Sequence, residues 1–267
     1  MELNQEKQKP ASNLSVRLQK HSRWLVLLSA LVFLLGWQAL SSLGGYSAFF
    51  LPPPLLVAER FERALTDGSL LRHASATLLE VLLGLLAGSF TATVLGYLLA
   101  RFRTLEMLLS PYLVASQAVP LVAIAPLLII WFGPGIASKI LICAMIVFFP
   151  VLINTIVGMR AVPENLRDLM RSMRATPLQM LRYLEIPAAL PVLLGGLRIG
   201  ATLSVIGAVV GEFVGADRGL GFLINVGRGQ FDTALVFVAI LTLMGMALSL
   251  YGLVIWVERR VLRWRNQ

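Results

Sequence analysis

Charged residues are scarce in this chain. They make up only 14% of its 267 residues, whereas soluble domains carry roughly 25%. Hydrophobic residues make up 57%. A bilayer accounts for this deficit of charge, because a chain in lipid satisfies its backbone polar groups internally and exposes apolar side chains. The composition therefore predicts an all-α, polytopic membrane protein and excludes an ordinary soluble domain.

Cysteine and histidine are almost absent as well. The one cysteine, Cys143, lies in an apolar run, so we interpret it as a small buried hydrophobic residue with no disulfide partner. The two histidines, His21 and His73, have no ligand-like neighbours, which predicts no metal site. The sequence also lacks a GK[ST] phosphate loop and a nucleophile–base pair. We therefore expect no cofactor, no catalytic residue and no enzymatic activity in this chain itself.

Lysine and arginine outnumber the acidic residues, 23 to 14, for a formal net charge of +9. They cluster beside apolar runs, so topology and anionic membrane lipid explain them better than nucleic acid does. Most lie in the polar tail 1–23, after residues 100 and 159, and at the C-terminal end. By the positive-inside rule, both termini are predicted to be cytoplasmic, in a multi-pass protein of the cytoplasmic (inner) cell membrane.

Six apolar segments have the roughly 20 residues that a spanning helix needs. They are 24–43, 76–100, 107–132, 137–159, 188–210 and 234–257, and with their connections they form a predicted transmembrane domain over 24–267. The third contains Pro111, Pro120 and Pro126, each of which removes a backbone donor, so that helix should be kinked or broken. The tail 1–23 is predicted to precede an uncleaved first helix.

The predicted cytoplasmic connection 160–187 has the pattern of a docking element. Four apolar residues follow helical spacing, and three arginines occupy the other face: Leu166, Leu169, Met170 and Met173, against Arg167, Arg171 and Arg174. Thr176, Pro177 and Gln179 form a capping-box pattern, so two short helices are predicted to meet near Ala175. The apolar stripe could pack on the protein's own helix ends, on lipid headgroups or in a partner's groove.

This connection resembles the EAA loop of ABC importer permeases, from Asp168 through Ile186 and Pro187. Leu169 and Met170 replace the usual alanines, and Arg174 stands where glycine is usual, which should alter the bend. The resemblance implies that the loop inserts into a groove of an ATP-binding subunit. The residues implied to couple to that ATPase are Asp168, Arg171, Met173, Arg174, Pro177, Ile186 and Pro187.

Other stretches extend the resemblance over about 51–264. Residues 117–133, 148–154 and 211–221 are similar to nitrate/sulfonate/taurine-type permeases. The resemblance implies the transmembrane fold of a type I ABC importer. It also implies three kinds of partner: an ATP-binding subunit, an extracytoplasmic substrate-binding protein and a second copy of the permease.

The implied function is ATP-driven import of a small organic solute. Residues 77–80 and 209–216 resemble permeases for riboflavin or thiamine pyrimidine precursors, which favours a vitamin-type heterocycle. Aliphatic sulfonate, taurine or nitrate is the alternative cargo for the same machinery. A stand-alone secondary transporter or channel is a remote alternative, because no repeat and few intramembrane charges occur. A membrane enzyme would need clustered catalytic groups that the sequence does not offer.

Four residues are candidates for the translocation path: Glu80, Trp131, Phe149 and Glu212. An ionisable residue at membrane depth is costly, so Glu80 should face protein or a cavity. It could instead be a helix-pairing residue near the outer end of its span, and the aromatic residues could be ordinary packing. Arg198 is predicted to form a structural ion pair, with Glu185 or with a neighbouring span.

Overall fold

The computed structural model describes residues 12–45, 47 and 49–263, and it confirms the predicted all-α class. Eleven α-helices occur in this part of the chain: α1 Ser12–Leu43, α2 Pro54–Thr66, α3 Ser69–Arg101, α4 Arg103–Ala118, α5 Leu121–Phe132, α6 Ile136–Arg160, α7 Glu164–Ser172, α8 Pro177–Met180, α9 Ile186–Gly215, α10 Leu220–Gly229 and α11 Thr233–Val261. A π-helical turn, Leu181–Glu185, joins α8 to α9.

The chain divides into two compact units, Met1–Glu59 and Arg60–Gln267. In the first unit the indole Nε1 of Trp37 donates a hydrogen bond to the carbonyl of Pro52 at 3.1 Å. Helix α1 begins inside the predicted polar tail, of which residues 1–11 lie outside the described part of the chain. Its apolar stretch Leu28–Leu43 is shorter than a full span, so the first span 24–43 remains a prediction.

In the second unit, the described residues contain four helices that are long and apolar enough to cross a membrane: Ser69–Arg101, Ile136–Arg160, Pro177–Gly215 and Thr233–Val261. Helices α4 and α5 meet at an angle of 96°, and together they have the length and apolar composition of a broken fifth span or a re-entrant loop. The break lies at Pro120, as the sequence predicts. Pro111 and Pro126 lie inside helices and do not interrupt them.

Two helices meet near Ala175, as predicted: α7 ends at Ser172 and α8 begins at Pro177. Helix α8 continues through the π turn into α9, which gives one helix of 39 residues, Pro177–Gly215. The wider π turn lies just before Pro187, where a regular helix would need the amide that proline lacks. The helix that contains the predicted fifth span therefore starts well before residue 188.

Close helix packing depends on small residues along α3, α6 and α9. A Cβ atom on Gly84 of α3 would lie 2.2 Å from the Cβ of Cys143, and one on Gly207 of α9 would lie 2.8 Å from its Cα. Helix α6 therefore passes between α3 and α9 with backbones nearly in contact, as small-residue packing in membranes allows. Cys143 is fully buried there, which confirms its interpretation as a packing residue.

Candidate functional site

The turn after α7 shows how Arg174 occupies the position at which the EAA loop usually has glycine. Arg174 has φ of 57°, the left-handed conformation that glycine adopts most easily. Its amide donates to the carbonyl of Arg171 at 2.9 Å, and the amide of Ala175 donates to that of Met170 at 3.0 Å. These two bonds form a Schellman motif, which usually has glycine at this position. The bend keeps the glycine geometry, at an energetic cost of about 1–2 kcal/mol.

The next helix begins with the predicted capping box. The amide of Gln179 donates to the hydroxyl of Thr176 at 3.3 Å, and the amide of Thr176 donates to the side-chain oxygen of Gln179 at 2.8 Å. Pro177 occupies the first turn, where no amide donor is needed. The capping-box prediction is therefore confirmed, and it fixes the direction in which the chain leaves the turn.

The apolar stripe of the 160–187 segment is uncovered in this chain. Met173 and Leu178 are more than 70% exposed, and Leu169 is 55% exposed. On the other face, Arg171 donates to Glu164 at 2.9 Å and to Asp168 at 2.8 Å. The hydrogen bond that Arg171 donates to Asp168, and then the one that it donates to Glu164, raises the pKa of Arg171. The helix therefore presents a charged face that is internally paired and an apolar face that is not.

The structure places most of the predicted coupling residues together. Five of them are exposed along α7, in the turn that follows it and at the first residue of α8: Asp168, Arg171, Met173, Arg174 and Pro177. Ile186 and Pro187 lie beyond the π turn, at the start of α9. They are therefore part of the spanning helix rather than of the exposed turn.

Glu185, at the end of the π turn, is a buried residue that the sequence offers only as an alternative partner for Arg198. Its carboxylate is 3% exposed, and its Oε1 lies 3.7 Å from a guanidinium nitrogen of Arg101 and 3.6 Å from Nε of Arg167. Arg167 also donates to the carbonyl of Met159 at 2.8 Å. The only available signal was an acidic residue directly before Ile186 in an apolar context. We call Arg101, Arg167 and Glu185 the Glu185 cluster.

Arg198 makes the structural ion pair that the sequence predicts, with a neighbouring span. Its guanidinium lies 2.8 Å from the carboxylate of Glu258 on α11, so the alternative pairing with Glu185 is not formed.

A second cluster lies towards the opposite ends of α3 and of the helix Pro177–Gly215, and it also includes a residue of α6. Lys139 of α6 lies 3.4 Å from the carboxylate of Glu80 on α3, and Glu212 of α9 is a neighbouring acidic side chain. All three side chains are almost fully buried. The hydroxyl of Thr77 donates to Glu212 at 2.6 Å. We call Lys139, Glu80 and Glu212 the Lys139 cluster. The burial of Glu80 favours the alternative that this residue pairs helices.

The loop before α10 closes around Glu212. Gly219 has φ of 121°, and a Cβ atom there would lie 2.1 Å from Oε1 of Glu212. The amide of Gly221 donates to the other carboxylate oxygen, and the amide of Leu220 donates to Thr77 at 2.7 Å. His73 accepts a hydrogen bond from the amide of Gly219 at 3.0 Å. The carboxylate of Glu212 therefore organises this loop, and glycine is needed for the close approach.

Of the four candidate path residues, the two carboxylates come together and the aromatic residues do not join them. Glu80 lines a cleft of about 930 Å³ with Lys139, and Arg72 and Arg218 also line it. Trp131 is 68% exposed on α5. Phe149 packs edge to face on Phe148, with ring centroids 5.2 Å apart.

Comparison with known proteins agrees with this architecture. Residues 84–263 match the family of binding-protein-dependent transport system inner membrane components. The chain is 48% identical to the riboflavin transport system permease protein RibX of Chloroflexus aurantiacus, over 96% of this chain and 97% of the relative. It is 32% identical to the taurine transport system permease protein TauC of Escherichia coli, over 88% of each chain.

A third relative is the formylaminopyrimidine transport permease protein ThiX of Halalkalibacterium halodurans, 32% identical over 89% of this chain and 94% of its own. A chain of the inward-facing MetNI methionine ABC transporter has the same fold, with a TM-score of 0.52 at 20% identity, over 74% of this chain and 96% of that one. The chain therefore belongs to the binding-protein-dependent transport system inner membrane components and is an ABC importer permease.

Proposed function

We propose that this permease imports a flavin-type planar heterocycle, with riboflavin as the cargo to test first. The observation that carries the proposal is the 48% identity to RibX over nearly the whole of both chains, against 32% for the taurine and formylaminopyrimidine relatives. A planar heterocycle is bound mostly by apolar and aromatic surface with few polar contacts.

The identities also rank the alternative cargoes. The taurine relative TauC is 32% identical to this chain, against 48% for RibX. Taurine import is therefore the weaker candidate for this chain.

The proposed assembly is a pair of these permeases with two ATP-binding subunits and an extracytoplasmic substrate-binding protein. The termini and the 160–187 connection face the cytoplasm, and residues 24–43 complete six spans in contact with membrane lipid. ATP hydrolysis takes place in the separate subunits and drives alternating access. The exposed Met173 and Leu169 supply an apolar surface that a groove of the ATP-binding subunit covers.

Uptake by the complete transporter tests the cargo. The chain is expressed with its own ATP-binding subunit and binding protein in a host that neither makes nor imports riboflavin. Radiolabelled riboflavin, taurine and a formylaminopyrimidine are supplied separately. We expect uptake of riboflavin alone; uptake of taurine without riboflavin would overturn the proposed cargo and leave the family assignment intact.

Co-purification tests the docking surface. Met173→Asp places a charge in the proposed apolar contact and should reduce recovery of the ATP-binding subunit on the tagged permease about tenfold. Ser172→Asp is the control, since it adds the same charge at the adjacent exposed position. Equal recovery with both variants would show that Met173 does not enter the groove.

A further inference from the structure

Glu185 joins two parts of the permease that the proposed transport cycle must move together. Its carboxylate contacts Arg167 of α7, which belongs to the exposed segment, and Arg101 at the end of the span α3. The Glu185 carboxylate is thus a direct connection between the proposed ATPase contact and the membrane-spanning helices.

The π turn is what directs Glu185 inward. Met180 and Glu185 are both buried although they lie five residues apart. In a regular α-helix, residues five apart point about 140° away from each other. In the π turn the amide of residue i+5 bonds to the carbonyl of residue i, as Ile186 does to Leu181, so such residues share a face. The extra residue in the helix therefore places the carboxylate against the arginines.

The two arginines can leave the carboxylate without exposing apolar core. The side chain of Arg101 is 41% exposed and that of Arg167 is 22% exposed, whereas Glu185 is 3% exposed. Their distances to Oε1, 3.7 Å and 3.6 Å, are longer than a good charged hydrogen bond. A cleft of about 360 Å³, lined by all three residues and by Tyr97, leaves room for the guanidinium groups to move.

We propose that Glu185 is a positioning residue for transport, whose shared contact with Arg101 and Arg167 transmits movement of the α7 segment to the spans. This inference rests on the proposed function only for the statement that movement passes from the α7 segment to the spans. The contact itself is a property of the isolated permease, so it can be tested with and without the partner proteins.

The first experiment needs no partner. Full-length permease in membrane vesicles is treated with trypsin, and cleavage after Arg171 and Arg174 is followed in time. Glu185→Gln removes the charge but keeps the shape, and it should speed this cleavage about tenfold, because α7 opens more often. Glu258→Gln is the matched control, since it breaks the Arg198 pair between α9 and α11 without touching α7. Equal cleavage in wild type and Glu185→Gln would overturn the proposal.

The second experiment uses the complete transporter and measures ATP hydrolysis and uptake on the same preparation. Glu185→Gln should lower uptake per ATP hydrolysed about tenfold, within the range of coupling between distant sites. The exchanged pair Arg167→Glu with Glu185→Arg should recover much of the loss, and Glu185→Asp should fall between. If hydrolysis and uptake fall together with the melting temperature, Glu185 is only structural and the proposal is wrong.

The two experiments separate this inference from the proposed function. A wild-type complex that does not import riboflavin would remove the proposed cargo, while the trypsin result would still decide whether Glu185 tethers α7. Faster cleavage with an unchanged ratio of uptake to hydrolysis would overturn the transmission step.

Discussion

The Lys139 cluster and the Glu185 cluster lie towards opposite ends of α3 and of the helix Pro177–Gly215, and they differ in access to water. On α3, Glu80 and Arg101 are separated by about 32 Å along the axis, close to the thickness of a hydrocarbon core. Lys139, Glu80 and Glu212 are all nearly fully buried. In the Glu185 cluster only the carboxylate is buried, and its arginines reach solvent.

This difference in burial predicts that the contacts of the Lys139 cluster are permanent and that those of the Glu185 cluster can be released. The side chains of the Lys139 cluster are nearly fully buried, and separating them would leave unpaired charge in a medium of low dielectric. The arginines of the Glu185 cluster can exchange a carboxylate for water at modest cost. We infer that the first cluster holds the ends of α3, α6 and α9 together, while the second is suited to open and close.

The largest expected effect is that of removing the buried ammonium. Lys139→Met leaves two buried carboxyl groups without their cation and should lower the free energy of unfolding by about 3–5 kcal/mol. Arg101→Met is the matched change at the other end and should cost about 1 kcal/mol or less, because that side chain is partly solvated. Denaturant titration in detergent micelles measures both, and equal losses would contradict the comparison.

The cost of Lys139→Met should be largely recovered when its partner is also neutralised. In Lys139→Met with Glu80→Gln, one buried charge of each sign is gone, and replacing a whole buried pair is far cheaper than breaking it. Failure of the second substitution to recover stability would show that the lysine acts through packing rather than charge.

The next largest effect concerns the loop that closes on Glu212. Gly219→Ala would place a methyl group 2.1 Å from Oε1 of Glu212, at φ of 121°. It should destabilise the permease by about 2–3 kcal/mol. Gly229→Ala is the control, because a Cβ atom there meets nothing within 4 Å. If both substitutions cost the same, Glu212 does not organise this loop.

Much of the fold follows from apolar length and proline position. Four of the six predicted spans lie in helices that are long and apolar enough to cross a membrane, and the third is broken at Pro120, between α4 and α5. The sequence could not predict the π turn, since Leu181 to Glu185 consists of residues that also suit an α-helix. Fusion of α8 with α9 was missed for the same reason.

The ionic clusters were only partly predictable. Burial of Glu80 follows from its place in an apolar run, but its pairing with Lys139 depends on how two helices are aligned. The same holds for Glu185, whose partners come from α3 and α7. Local patterns give spans, caps and turns, whereas contacts between distant segments require the packed structure.

A substitution in the turn between α7 and α8 should have a smaller effect on stability, and of opposite sign. Arg174→Gly keeps φ near 57° and removes the side-chain strain, so it should stabilise the permease by about 1 kcal/mol. Arg171→Gly places glycine inside α7 instead and should destabilise it by a similar amount. Thermal unfolding of the two variants measures the difference, and destabilisation by Arg174→Gly would mean that the arginine side chain stabilises the bend.

The smallest expected effect comes from Glu164, which extends the comparison to a fully exposed carboxylate. Hydrogen bonds from Arg167 and then from Arg171 lower the pKa of Glu164 in the folded protein. A carboxyl group whose pKa is lowered by folding stabilises the fold at any pH above its ordinary pKa. This stabilisation is lost as the pH falls through the pKa of the folded protein. Protection of α7 from an acid-active protease should therefore weaken slightly below the ordinary carboxyl range.

Glu164→Gln removes the group that titrates and should abolish the loss of protease protection at low pH. At neutral pH the same substitution should change the protection of α7 only slightly. Because Arg167 also contacts Glu185, protonation of Glu164 leaves that arginine with its buried partner. Helix α7 should thus stay docked when the exposed pair is lost. Release of α7 by Glu164→Gln as fast as by Glu185→Gln would show that the exposed pair, and not the buried carboxylate, holds the segment to the spans.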